Sequence, residues 1–112
     1  MEMRIEELAN GVNHIGLVGA FDINGAADVD VRFAALAGSR DKILVDLTQV
    51  ASLASIGIRT LLVNAKVVSR RGGRFVLAGP RPMVEQALQT AGITALIPTY
   101  PDVVTAMQAL DA

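Results

Sequence analysis

Apolar and polar positions follow two different periods along the chain, and each switch between them marks an element. Ile43-Leu44-Val45-Asp46-Leu47 is a short apolar run rich in β-branched residues, the pattern of a buried strand. Beyond it, Ile58, Leu61, Leu62, Ala65 and Val68 recur at i, i+3, i+4, i+7 and i+10. They give one apolar face to a helix over residues 55–71. Ala51 to Ala54 reads as a small-residue connection. Ser55 is then the candidate N-cap, because a serine hydroxyl can accept from an unpaired amide of the first turn. Arg70-Arg71-Gly72-Gly73 suits the other end, with cations at the carboxyl pole and glycine for a left-handed cap.

The flanking segments extend the pattern. Met3 to Ala9 and Ile15 to Val18 predict two strands joined at Asn10-Gly11, an antiparallel hairpin. Asn24 can cap a first helix, with Ala27, Val31, Ala34 and Ala35 as its apolar side, Asp28 in its early turns and Gly38 at its end. Lys42 to Leu47 is the third strand and Arg74 to Ala78 the fourth. Pro82 suits the opening turn of a helix over Met83 to Thr90, closed by Gly92. Ala95 to Thr99 predicts a last strand, placed at an edge by Pro98. Pro101-Asp102 opens a last helix with Val103, Val104, Met107 and Leu110 inward. The order is β-β-α-β-α-β-α-β-α. Alternating strands and helices imply parallel pairs with right-handed crossovers, and the hairpin makes the sheet mixed. The expected fold is therefore α/β, one domain over residues 1–112 with a mixed sheet and about four helices.

Composition narrows the function. Apolar residues are 52% of the chain, enough for a packed core, and the net charge of −1 gives no basic excess for nucleic acid or an anionic membrane. With no cysteine there is neither disulfide nor thiolate chemistry. No run approaches the ~18 apolar residues of a membrane span, and the acidic start does not fit a signal peptide. These features fit the cytoplasm.

Few residues suggest chemistry. His14 is the only histidine, without a triad or a metal partner of its own kind, and reads as a structural or surface residue. Asp22 and Asp46 at strand ends could in principle hold Mg²⁺ as a receiver domain does. That needs an acidic cluster and a lysine after the fourth strand, where Gly79-Pro80-Arg81 stands instead. The plainer reading is that both carboxylates accept from loop amides. Gly72-Gly73 follows a helix and precedes a strand, so it is no nucleotide loop. Ser55 lacks the Gly-x-Ser-x-Gly setting of a hydrolase, because position 53 is Leu53. No catalytic residue, metal site or cofactor is expected. On the outer side of the central helix, Ile56, Arg59, Val63, Lys66 and Arg70 share one stripe, basic with two apolar members. It is either a solvated face or a docking surface for an acidic partner.

Val45-Asp46-Leu47, Leu53-Ala54-Ser55-Ile56-Gly57-Ile58 and Leu61-Leu62 together resemble the signature of the STAS domain, the family of the bacterial anti-sigma factor antagonists. The family motif is Asp-Ser-(Ser/Thr)-Gly-(Leu/Ile), and its first serine is phosphorylated by a partner kinase. Ser55 and Gly57 match. Ala54 replaces the aspartate, Ile56 the second hydroxyl residue, and Arg59 stands where glycine is common. Gly19-Ala20-Phe21-Asp22, Gly72-Gly73-Arg74-Phe75-Val76-Leu77, Ala91-Gly92-Ile93 and Ile97-Pro98-Thr99-Tyr100 resemble further family segments in order. The resemblance implies a STAS-like fold and a module that binds an anti-sigma factor, itself a serine kinase, and is switched by phosphorylation of Ser55. Asp22 would lie beside Ser55. The partner-facing residues would be Asp22, Ala54, Ser55, Ile56, Gly57, Arg59, Val63 and Lys66, on a monomer or weak homodimer. The alternative is a constitutive STAS subunit of a transporter or signalling scaffold without a phosphate cycle, and Ala54 and Ile56 are its support. A small-ligand sensor is a weaker third class, for which the sequence supplies no ligand code.

Overall fold

In the computed structural model, which describes residues 1–111, strands and helices follow the expected order. Strand β1 (Glu2–Glu7) returns as β2 (Val12–Phe21) through a 3₁₀ turn at Ala9–Gly11. Asn10 and Gly11 take positive φ there, 63° and 74°, which an Asn-Gly pair does at little cost. Next come α1 (Ile23–Ala37), β3 (Lys42–Leu53), α2 (Ser55–Arg70), β4 (Arg74–Ala78), α3 (Pro82–Thr90), β5 (Thr99–Tyr100) and α4 (Val103–Asp111). The five strands lie side by side in sequence order. The β1–β2 pair is antiparallel and the other neighbours are parallel, so the sheet is mixed.

The sheet separates two cores. Ile43, Val45, Leu47 and Val50 of β3 pack with Phe33 of α1, Leu61 of α2 and Leu88 of α3. Leu44 points the other way, into a smaller cluster with Val12, Val76 and the α4 residues Ala106 and Leu110. Each such fully buried leucine contributes about 1.5–3 kcal/mol relative to exposure. Helix α2 ends as expected. Gly72 takes φ 81°, its amide donates to Ser69 O and the amide of Gly73 to Val68 O, a Schellman closure.

Five local expectations need correction. Helix α1 starts at Ile23 and its cap is Asp22, not Asn24: the Asp22 carboxylate accepts from the Gly25 amide at 2.9 Å. Its inward face is Ala26, Val29, Phe33 and Ala37, whereas Ala27, Val31, Ala34 and Ala35 face outward. The helix has two apolar stripes, and the one carrying Phe33 removes more surface from water and takes the core. Strand β3 runs on to Leu53, through the expected connection, because β2 extends to Phe21 and pairs with it as far as Phe21↔Leu53. The last strand is only Thr99–Tyr100, although it does sit at an edge. Before it the amides of Leu96 and Ile97 both donate to Ile93 O at 2.8 Å, so a 3₁₀ turn at Ile93–Ala95 takes the backbone groups that a longer strand would need, while Ile93 and Ile97 enter the core. In α4, Val104 is exposed and Ala106 buried, since Ala106 and Leu110 stand one turn apart over the sheet.

Candidate functional site

The carboxyl ends of β2 and β3 lie side by side, and α1 and α2 leave from them. The Ala54 amide donates to Phe21 O at 3.0 Å, so the two strand-to-helix junctions are joined by backbone. Asp22 and Ser55 are each the next residue after that bond. The expected neighbourhood of these two residues is therefore met in the backbone, while the Asp22 carboxylate itself is occupied as the α1 cap.

Ser55 is exposed and is the first residue of α2. It is not the cap: Ala54 holds that position with extended backbone (φ −92°, ψ 168°), and no side chain caps the helix. The Ser55 hydroxyl projects at the positive pole of a 16-residue helix, where amides of the first turn lack intrahelical partners. Behind it Gly57 is buried. A Cβ there would stand 2.7 Å from Phe21 O, 2.8 Å from the Phe21 ring and 2.9 Å from Leu53 Cδ1. The motif glycine therefore serves close packing, seating the first turn of α2 directly on the end of β2.

The outer stripe is as the spacing predicts. Ile56, Arg59, Val63, Lys66 and Arg70 are all exposed, Val63 at 50%. Beside it, facing α1, two polar residues are buried that the periodicity did not reveal. Thr60 Oγ1 donates to Ile56 O at 3.0 Å and Asn64 Nδ2 to Thr60 O at 2.8 Å, so their donors stay within α2. Both are polar residues in a helical stretch, for which an i−4 carbonyl is the nearest partner and the available sequence signal.

His14 and Asp46 form a separate pair on β2 and β3, Nε2 to Oδ2 at 2.9 Å. Asp46 also accepts from the Thr48 amide at 2.9 Å and the Thr48 hydroxyl at 2.7 Å. Burial opposes its charge, but the bonds from Thr48 and His14 outweigh that and hold its pKa below the usual aspartate value. Asp22 and Asp46 thus accept from nearby amides as the plainer reading had it, although those amides belong to α1 and β3 and not to loops. Among the described residues no three His, Cys, Asp or Glu side chains converge as metal ligands, and no helix is long and apolar enough to cross a membrane.

A single small α/β domain with a mixed five-stranded sheet, four α-helices and an exposed serine at the β3–α2 junction defines the class. The chain belongs to the STAS domain family, whose profile matches residues 7–106. Its fold is similar to a candidate anti-sigma factor antagonist from Thermotoga maritima (TM-score 0.91, 20% identity, covering 98% of this chain and 95% of that one). It is also similar to the phosphorylated form of the Bacillus cell fate determinant SpoIIAA (TM-score 0.74, 16% identity, 96% and 98% covered). A third likeness is to the STAS domain of a SulP transporter from Vibrio cholerae (TM-score 0.73, 24% identity, 91% and 82% covered). No curated protein sequence matches the chain.

Proposed function

We propose that the chain is an anti-sigma factor antagonist, a cytoplasmic interaction module that binds an anti-sigma factor kinase and is released by phosphorylation of Ser55. The observation that carries this reading is the exposed Ser55 in the first turn of α2, seated on β2 through Gly57. Asp22, Ala54, Ser55 and Ile56 form the end of the contact, and Arg59, Val63 and Lys66 continue it along α2; Gly57, expected among the partner-facing residues, is buried and acts only by seating them on β2. The chain is substrate and not catalyst. ATP and Mg²⁺ belong to the partner, and neither nucleic acid nor membrane is engaged.

The switch follows from local electrostatics. A phosphate adds about −1.5 to −2 charges at neutral pH. At the α2 N-terminus that charge is favourable for the helix, so the fold tolerates it. It is unfavourable in the contact, where it must be desolvated. Arg59 is four residues further on the same helix, within reach of a Ser55 phosphate, and a guanidinium drawn to that phosphate is lost to the partner.

A constitutive STAS subunit is the second reading. Ala54 favours it, since it offers no carboxylate next to the hydroxyl. A titration of the anti-sigma factor with wild type, Ser55→Ala and Ser55→Asp separates the two. The switch requires Ser55→Ala to bind like wild type and Ser55→Asp to bind more weakly. Equal affinity for all three overturns it and leaves the constitutive subunit.

A further inference from the structure

Helix α1 is apolar on two sides, and no element among the described residues covers the outer one. Val31 is 82% exposed there. With Ala34 it forms one bank of a groove of about 540 Å³, whose other bank is Ile56, Arg59 and Val63 of α2. Thr60 and Asn64 line its floor with their donors already bonded inside α2, and no buried side-chain N or O atom among the described residues lacks a partner. The floor therefore does not call for a small polar ligand. It offers apolar contact. Both banks are helices, so there is no free strand edge for an extended peptide to pair with. Ile56 and Val63 are seven residues apart, about 10 Å or two helical turns. That is the spacing at which a docked helix presents side chains at i, i+3 or i+4, and i+7.

The charges are segregated, with Asp30 on the α1 bank and Arg59 on the α2 bank, followed outward by Lys66. The stripe that looks uniformly basic on α2 alone is thus one side of a mixed surface. From this we infer that the groove seats an amphipathic helix of the anti-sigma factor, with its apolar face inward, a basic residue toward Asp30 and a carboxylate toward Arg59. The inference rests on the functional reading above and extends the contact onto α1, which the sequence did not implicate. A second copy of the chain fits less well. It would cover Ile56, the neighbour of Ser55, in the resting protein and close the junction to the kinase.

The test uses the full chain and a purified anti-sigma factor from the same genome. Val31→Glu should weaken binding at least tenfold, and Asp30→Lys severalfold. Val104→Glu on α4, a comparably exposed valine, should leave affinity unchanged and serves as the control. Circular dichroism and urea midpoints check that all three variants are folded. Wild type that binds, together with Val31→Glu of unchanged affinity, overturns the groove and leaves the functional reading standing. Wild type that binds no anti-sigma factor overturns the functional reading and, with it, this occupant. Wild type that sediments as a dimer and Val31→Glu as a monomer assigns the groove to a second copy, which also overturns the proposal.

Discussion

Replacing Gly57 by alanine tests the packing that presents Ser55. In an ordinary helix interior the change should stabilise by about 0.5–1 kcal/mol, because glycine is the more flexible residue when unfolded. Here the new methyl meets three atoms at 2.7, 2.8 and 2.9 Å. Only Leu53 Cδ1 is the end of a flexible side chain. Phe21 O is backbone and is already held by the Ala54 amide, and the Phe21 ring is fully buried. Relief therefore has to come from moving α2 off the sheet, an overpacking strain of about 1–3 kcal/mol. With the two rigid atoms placing it toward the upper end, the net loss is about 1–2 kcal/mol, a fall in Tm of roughly 4–8 °C for a domain of this size. Urea unfolding followed by circular dichroism reads it as a lower midpoint at unchanged m. A Gly57→Ala protein as stable as wild type, or more stable, would refute the close-packing account of the motif glycine.

Other outcomes follow from single contacts. Asp22→Ala removes the α1 cap and should cost about 1 kcal/mol by urea unfolding, whereas Asp22→Asn, which can still accept from the Gly25 amide, should cost only a few tenths. Reversing Arg59 and Lys66 to glutamate should weaken anti-sigma factor binding by on the order of 1–3 kcal/mol with little change in unfolding free energy; unchanged affinity and salt dependence would return the stripe to solvent. Asp46 has its folded pKa lowered from 3.8, so the unfolded chain takes up protons first as pH falls. Its contribution should be fully present above that value and disappear as pH drops through the lower folded value. The stability gap between wild type and Asp46→Asn should accordingly be constant near neutrality and shrink in acid, and a gap that widens in acid contradicts the assignment.

Strand and helix order was legible because short apolar runs alternate with period-3.6 patterns and each helix has a glycine or proline signal near an end. On α2 Leu61, Ala65 and Val68 are buried as their spacing predicts, while Ile58 and Leu62 are half-buried and the inward face is displaced toward Thr60 and Asn64. The α1 face was misread, because its two stripes are both apolar and only the packing of Phe33 against Phe75, with ring centroids 6.0 Å apart, decides between them. The extent of β3 was hidden for a different reason. Ala51 and Ser52 have weak strand propensity, and it is the resumed pairing of Ser52 with Ala20 and of Leu53 with Phe21, past a bulge at Ala51, that carries the strand on. At the candidate site, Ser55 and the exposed stripe were visible from the sequence alone. The cap at Ala54, the packing role of Gly57 and the His14–Asp46 pair were not, since each depends on β2 and β3 lying in parallel register.

Phosphate placement is the most direct test of the switch. The chain is incubated with the anti-sigma factor kinase, ATP and Mg²⁺, and its peptides are read by tandem mass spectrometry. The account predicts a single phosphate, on Ser55, because Ile56 leaves no hydroxyl at the neighbouring position, and it predicts none on Ser55→Ala. An unmodified Ser55 under conditions where the two proteins bind, or a phosphate carried on another residue, would contradict it.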